Sequence, residues 1–513
     1  MSAATLYSLP GPIRNALVSR WFPGLLVTTV LGPFYWLSAV TRVGGGDWGQ
    51  FQTFGYMGGI AHPPGYPLII GSINLATRVI RVDEPAHLAN LVNATFATAA
   101  GVALFYAGWL LTHSRLAAAL ATLVFATGYS IWAQATQAGH ISVQMLLVFL
   151  LVLALVAYDK RPTPTRLAAV AFAVGLSLTN HGLSVFMLPA TALLVVIRRF
   201  PGISRPRTLL MAGAAGLVGM TPWLYVLRGL LVPVPANRPE TIQRLSIGDL
   251  WHLIVGKPIV VVNESGVTSL SVEDRGTALL AEWPSFAHDV LREFGWFWIA
   301  LSLVGWLAVA RARPRPAGWI AWTGLSTLWF ALATPPLLDS DRYFSVVYAL
   351  LAVCLAAGMG AARQGVARLA GRLPTRQARY LAPAIGLVFL LATGVRVHQQ
   401  LTGPARINVV RLRENAAEQA EIGLRIVTTM EPGGVYFTNW TSSWYPRYAR
   451  HVLGFDRDLR IETVDFWTMG IDRADEVLAS GRRLYLQRLT PEYEQAFKLV
   501  KRAGVYYEVL PKS

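Results

Sequence analysis

The 513-residue sequence predicts an α-helical polytopic membrane protein with about eleven transmembrane helices, followed by a C-terminal soluble α/β domain. Three observations carry this expectation. Apolar residues make up 54% of the chain and charged residues only 14%, whereas a soluble domain is roughly 25% charged. The charge is unevenly spread: residues 1–397 hold 29 basic and 14 acidic side chains, about 11% of that part, while residues 398–513 hold 16 and 14, about 26%. Within the first part, apolar runs near spanning length recur, and every second connection between them is basic, so that the arginine-rich connections share one side.

A span needs about 20 mostly apolar residues. By that measure the runs lie near 23–41, 87–111, 116–134, 141–158, 166–180, 183–198, 207–227, 295–310, 317–333, 343–361 and 380–397. The first 22 residues, with Arg14 and Arg20 and no small-residue cleavage site, read as the approach to a permanent span rather than as a cleaved signal. With the N-terminus cytoplasmic, the connections at 112–115, 159–165, 199–206, 311–316 and 362–379 are cytoplasmic too. They carry Lys160, Arg161, Arg199, Arg205, Arg311, Arg313, Arg315 and the series from Arg363 to Arg379. Basic short loops stay inside, which sets the orientation in a bacterial plasma membrane. The net charge of +17 then faces the anionic inner leaflet, and nucleic acid is excluded as a partner. Cys354 is the single cysteine, so neither an intrachain disulfide nor a cysteine zinc site can form.

The long pieces fall on the exoplasmic side: loop 42–86, loop 228–294 and the tail 398–513. In the first loop, residues 65–81 are apolar but end in Arg78 and Arg81, which suits a helix lying at the membrane surface. The tail opens with an amphipathic helix over 408–429. Strand-like runs follow at 434–438, 459–464, 484–487 and 505–509, with helices between them that include 472–479 and 491–502. This alternation predicts a partly parallel sheet.

The outer face collects polar residues. Directly after the first span come Gly44, Gly45 and Gly46, then Asp47, Trp48, Gly49, Gln50 and Phe51. The glycines allow a sharp turn with room for a ligand, and a carboxylate there can act as a general base; the competing reading is a solvated loop acid. His62 precedes Pro63-Pro64-Gly65-Tyr66-Pro67, a rigid turn into a helix start. Gln134, Gln137 and His140 lie between the third and fourth spans, Asn180 and His181 between the fifth and sixth, and Asp339, Asp341, Arg342 and Tyr343 before the tenth. Singly, such groups are caps or interfacial anchors. The planar fork of Arg342 suits a phosphate, with a salt bridge to Asp339 or Asp341 as the alternative. Together these segments suit chemistry on a lipid-attached substrate at the outer surface. A transporter instead places its polar groups near mid-membrane on broken helices.

The runs Asp47-Trp48-Gly49-Gln50-Phe51 and Gly59-Ile60-Ala61-His62-Pro63-Pro64-Gly65-Tyr66-Pro67-Leu68 resemble a family of multi-spanning protein O-mannosyltransferases related to transmembrane protein 260, within the GT-C glycosyltransferase class. Supporting matches are Trp132-Ala133-Gln134-Ala135, the run Gly175 to His181, Leu250-Trp251-His252 and Arg342-Tyr343-Phe344. The likeness is good over 40–200 and looser beyond. Two departures stand out: Gln50 where the family has Glu, and Ala138-Gly139-His140-Ile141 where it has an acid. They remove a second carboxylate and with it the sequence support for a divalent metal; His140 or His62 is the alternative polar partner.

The resemblance implies a GT-C fold and transfer of a sugar, mannose by analogy, from a polyprenyl-phosphate donor to an acceptor hydroxyl on a protein or glycan, with inversion. Asp47 maps onto the acid that acts at the acceptor. Arg342 and Tyr343 would hold the donor phosphate. Gln50, His62, Gln134, His140, Asn180 and His181 would orient the substrates, and spans and membrane lipids would surround the isoprenoid tail. Two rival readings are a flippase for lipid-linked sugar and a non-catalytic envelope scaffold. Asn439-Trp440-Thr441 also fits the N-glycosylation pattern.

Overall fold

The computed structural model describes residues 21–236, 238–255, 272–333, 344–371, 375–402, 409–455, 458–464 and 469–512. Asp339, Asp341, Arg342 and Tyr343 lie outside the described residues.

Where apolar runs are long and uninterrupted, long helices form. The first part comprises α1 (Phe22–Ser38), α2 (Gly46–Met57), α3 (Pro67–Val79), α4 (Pro85–Thr112), α5 (Arg115–Ala126), α6 (Tyr129–Ala135), α7 (His140–Lys160), α8 (Pro164–Ser177), α9 (Leu188–Ile197) and α10 (Pro206–Gly219). After the hairpin β1 (Val234–Ala236) and β2 (Arg238–Gln243) come α11 (Ile247–Val255), α12 (Val272–Ala312), α13 (Pro314–Ala333), α14 (Ser345–Ala370) and α15 (Thr375–Thr402). Starts and stops follow local chemistry. The Ser114 hydroxyl accepts from Ala117 N at 3.2 Å and Thr163 from Arg166 N at 3.3 Å, capping α5 and α8, while Gly58 ends α2 with a φ of 73°.

Among the described residues, four helices are long and apolar enough to cross a membrane: Pro85–Thr112, His140–Lys160, Phe286–Ala312 and Ser345–Ala370. Two bent pairs raise this to six if each pair is one span. The run expected at 116–134 is one of these, with α5 and α6 meeting at 74°; that at 207–227 bends by 43° beyond α10. The runs at 23–41, 166–180 and 183–198 form shorter helices. Segment 65–81 forms α3, whose Ile69, Ile70 and Ile73 are buried.

Helices α12 and α14 approach through Gly305 and Gly358. A Cβ on either would run into the other helix's backbone, which is the small-residue packing expected where no hydrophobic force drives helices together in lipid. The break between α5 and α6 strands backbone groups that no water can satisfy in an apolar interior, and buried polar side chains take them. Tyr35 donates to Ala126 O at 2.9 Å, Arg396 Nη1 to Val124 O at 3.1 Å and Gln400 Nε2 to Thr127 O at 2.6 Å; Glu293 Oε2 accepts from Ser130 N at 2.7 Å. Arg396 and Glu293 lie 3.8 Å apart. Polar groups from α1, α12 and α15 therefore serve the backbone of this broken helix. Glu293→Gln keeps an acceptor for Ser130 but removes the charge opposite Arg396. A loss of about 1.5–3 kcal/mol is expected, read as earlier thermal unfolding in detergent.

Beyond α15 come α16 (Val409–Thr429), β3 (Val435–Thr438), α17 (Trp440–His451), β4 (Arg460–Thr463), α18 (Ile471–Ala479), β5 (Leu484–Leu486), α19 (Pro491–Ala496), β6 (Phe497–Arg502) and β7 (Tyr506–Pro511). The strands form one sheet in the order β4-β3-β5-β7-β6. Its first three strands are parallel, and β7 runs antiparallel to both β5 and β6. One expectation fails here: 491–502 is not a single helix. It stops at Ala496, and Phe497–Arg502 pairs with Tyr506–Pro511 across a tight turn in which Ala503 and Gly504 have positive φ.

Candidate active site

Three connections of the helical part and one helix of the tail meet around α2. The extended Gly45 and left-handed Gly46, φ 56°, turn the chain directly into α2, which places Asp47 in its first turn. A carboxylate there is favoured by the helix dipole. An amide network fixes this turn. Gln52 Oε1 accepts from Gly44 N at 2.8 Å, Gln52 Nε2 donates to Asn90 Oδ1 at 2.8 Å, and Asn90 Oδ1 also accepts from Ala138 N at 2.8 Å. Asn93 donates to the carbonyls of Gln134 and Gln137 at 2.7 and 2.6 Å. Gln134 thus contributes its backbone to the bracing of the site.

His62 reaches back to α2. Its Nδ1 lies 2.5 Å from Gln50 Oε1, an atom that only accepts, so the proton of that bond is on Nδ1. Its Nε2 faces the Tyr66 hydroxyl at 3.2 Å. Gln50 is fully buried and offers the imidazole a neutral acceptor. Beyond Tyr66 two more imidazoles stack: His140 lies 4.8 Å from the Tyr66 ring, and His181 lies 4.9 Å from His140 at 10°. Asn180, buried, donates to His140 O at 3.2 Å and to Gln144 Oε1 at 2.9 Å, tying the two connections together.

His181 has a defined tautomer. Leu183 N–H donates to its Nδ1 at 3.1 Å, so the neutral ring carries its proton on Nε2. Burial pushes the group down to about 4, the charge of His62 adds to this, and Asp47 opposes it. His181 is therefore a neutral N–H donor at pH 7, within electrostatic reach of Asp47 and His62.

The fourth contributor is α17, which the sequence reading did not single out. Asn439 Oδ1 accepts from Ser442 N at 2.9 Å; the asparagine of the glycosylation-like pattern is a buried helix cap. Trp440, first in the helix, donates from Nε1 to Asp47 Oδ1 at 3.4 Å, and its ring stands edge-on to His62 at 6.4 Å. Trp444 packs at 5.6 Å on Phe54. The room left by the glycines is filled by this helix: a Cβ on Gly45 would lie 2.8 Å from Thr441 Cγ2 and from the Tyr445 hydroxyl, and one on Gly49 would lie 2.6 Å from Trp444 Cβ. The signal in the sequence was the stripe Trp440, Trp444 and Tyr448, four residues apart on one helix face.

Two further contacts clamp α17. Tyr448 donates to Glu84 Oε1 at 2.6 Å and accepts from Ala86 N at 2.8 Å. Arg447, fully buried, lies 3.3 Å from Glu240 on β2, and His451 lies 3.5 Å from the same oxygen. Burial works against the charge on Glu240, but the hydrogen bond from His451 and the charge of Arg447 outweigh it and hold the carboxyl at about 2, below the usual 4.5. Its folded-state value is lowered, so its contribution is complete above about pH 4.5 and lost as pH falls towards 2. Hydrogen exchange of residues 440–451 is expected to accelerate across that window and to be insensitive to Glu240 between pH 6 and 8.

Of the residues expected at the site, the structure brings together Asp47, Gln50, His62, His140, Asn180 and His181; Arg342 and Tyr343 lie outside the described residues. Among the described residues, no group of three or more His, Cys, Asp or Glu side chains is arranged to hold a metal ion.

Residues 47–204, which contain most of this constellation, match the family model described as the protein O-mannosyl-transferase TMEM260 N-terminal domain. Over this segment the chain is similar to that family model. The mouse protein O-mannosyl-transferase TMEM260 is 26% identical over 295 residues, covering 56% of this chain and 40% of the relative. The Dictyostelium discoideum tmem260 protein is 23% identical over 290 residues, covering 53% and 34%. The chain thus spans well under half the length of these relatives. The fold is shared more widely. The crystal structure of ArnT from Cupriavidus metallidurans bound to undecaprenyl phosphate matches with a TM-score of 0.56 over 96% of this chain and 98% of that one, at 14% identity. The apo state of ArnT matches equally over 94% and 97%. The protein is an integral membrane protein of the GT-C fold.

Proposed function

We propose that this protein is an inverting glycosyltransferase that moves a sugar, mannose by its kinship, from a polyprenyl-phosphate carrier to a Ser or Thr hydroxyl of an acceptor protein on the exoplasmic face. The observation that carries this reading is the gathering of Asp47, His62, His140 and His181, from well-separated connections, around one helix start. The names of the mouse and Dictyostelium relatives support protein O-mannosyl transfer, and the undecaprenyl phosphate held by ArnT supports a polyprenyl carrier.

Asp47 takes the proton from the acceptor hydroxyl as its oxygen attacks the anomeric carbon; the bond from that carbon to the phosphate oxygen breaks, and the lipid phosphate leaves with the electron pair. Charge grows on the leaving phosphate. The neutral Nε2–H of His181 supplies a fixed donor for it, and Arg342 with Tyr343 supplies the cation and a second polar group. Gln50 and Tyr66 hold the His62 ring, while Gln134 and Asn180 brace the connections that carry the imidazoles. The isoprenoid tail lies between spans, where it leaves lipid rather than water and is held by van der Waals packing against their apolar side chains. About eleven crossings, a cytoplasmic N-terminus and residues 398–513 as an exoplasmic domain complete the arrangement.

Purified protein in nanodiscs, given radiolabelled mannosyl-phosphoryl-undecaprenol and a Ser/Thr-rich peptide, is expected to form alkali-labile mannosyl peptide. Movement of the labelled lipid between leaflets of proteoliposomes with no glycosidic bond formed would establish the flippase reading instead.

A further inference from the structure

The catalytic carboxylate proposed above is contributed by residue 47, yet a donor to it comes from a residue almost four hundred positions later. We infer that Trp440 is a positioning residue for Asp47: its indole N–H fixes the carboxylate, so that residues 440–451 complete the active site of the membrane part. This inference rests on the reading of Asp47 as the base.

An indole N–H can only donate, so the contact from Trp440 Nε1 to Asp47 Oδ1 at 3.4 Å favours the ionised acid and holds one of its oxygens. The ring itself has little freedom. It stands edge-on to Trp444 at 5.2 Å and 82° and to His62 at 6.4 Å and 84°. Trp444 is fully buried in the cluster that also contains Phe51, Phe54, Ala61 and Tyr66. Behind Trp440, the Asn439 cap is anchored on the sheet: Gln487 Oε1 accepts from Asn439 N at 3.3 Å and from Thr438 Oγ1 at 2.8 Å, and its Nε2 donates to Ser442 Oγ at 2.6 Å. A donor on a helix braced at Asn439, Arg447 and Tyr448 loses little further freedom on reaching the acid, which is the condition for effective preorganisation.

With one oxygen held, Asp47 presents its other oxygen to an acceptor hydroxyl in a defined direction. Loss of the donor is therefore a loss of rate more than of affinity. The titratable side chains packed around this corner are His62, Tyr66, His140 and His181 from the membrane part and Tyr445 from α17. None of them is changed by substituting residue 440.

The test uses the full-length protein in nanodiscs, labelled mannosyl-phosphoryl-undecaprenol and a Ser/Thr peptide. Trp440→Phe keeps a ring and removes the donor. We expect kcat to fall about tenfold with the donor KM unchanged, and the acid limb of kcat to move up by about one pH unit. Trp440→His, which retains a ring N–H, is expected to recover most of the rate and the original limb. The inference is overturned if Trp440→Phe has the parental kcat and acid limb, or if Phe and His variants lose rate equally with the limb unmoved. Should Asp47→Asn remain active in the same assay, the reading of Asp47 fails and this inference with it. An inactive Asp47→Asn beside an unaffected Trp440→Phe overturns the inference alone.

Discussion

Asp47→Asn is expected to lower sugar transfer by about 10²–10⁴-fold while leaving protein yield, thermal stability and donor binding unchanged. The substitution is nearly isosteric, and the amide oxygen can still accept from Trp440, so the packing of α17 on α2 is kept. What disappears is the basic oxygen that removes the acceptor's proton. Its neighbours in α2 and the first loop do not replace it: residue 50 is the neutral Gln50, and His62 is engaged by Gln50 and Tyr66. Comparing kcat with the donor KM separates this role from binding, because a transition-state contact lowers kcat and kcat/KM together.

Arg447→Met is expected to weaken the contact between α17 and the membrane part by about 2–4 kcal/mol. Arg447 is fully buried, and its guanidinium donates to Ser443 Oγ at 2.7 Å, Thr463 Oγ1 at 3.3 Å and Ile461 O at 3.2 Å besides pairing with Glu240. Methionine fills comparable space but leaves those acceptors without their partner. Glu240 keeps 30% of its side chain in solvent and can regain water, which keeps the cost below that of a fully enclosed charge. Hydrogen exchange should accelerate in residues 440–463 and leave the long helices unaffected. Because Trp440 rides on the same helix, the variant should also lose rate; exchange protection like that of the parent would contradict the clamp.

The membrane character and the likeness carried by the first loop were legible in the sequence, because they rest on composition, apolar runs and a specific run around His62. The tail strands were close to legible, since β-branched and aromatic residues alternate there. Residues 491–502 misled because Tyr493 and Phe497 suit a helix face, whereas the pairing of Phe497–Arg502 with Tyr506–Pro511 is decided by the turn and the partner strand. The bend between α5 and α6 was hidden because the groups that satisfy it, Arg396, Gln400 and Glu293, are remote in sequence. The same reason concealed the share of the tail in the site. The glycines before Asp47 signalled room, but only the fold shows that Thr441, Trp444 and Tyr445 occupy it.

The central claim is that sugar transfer takes place where α2, the imidazoles of three connections and the first turn of α17 meet. A structure of the protein with mannosyl-phosphoryl-undecaprenol and a non-reactive acceptor peptide tests it most directly. The account predicts the anomeric carbon about 3–3.5 Å from the acceptor side chain's attacking position, that position within hydrogen-bond reach of Asp47, and the phosphate on the side of His181. A donor whose sugar lies away from Asp47, with Trp440 and His181 unchanged in their surroundings, would contradict it.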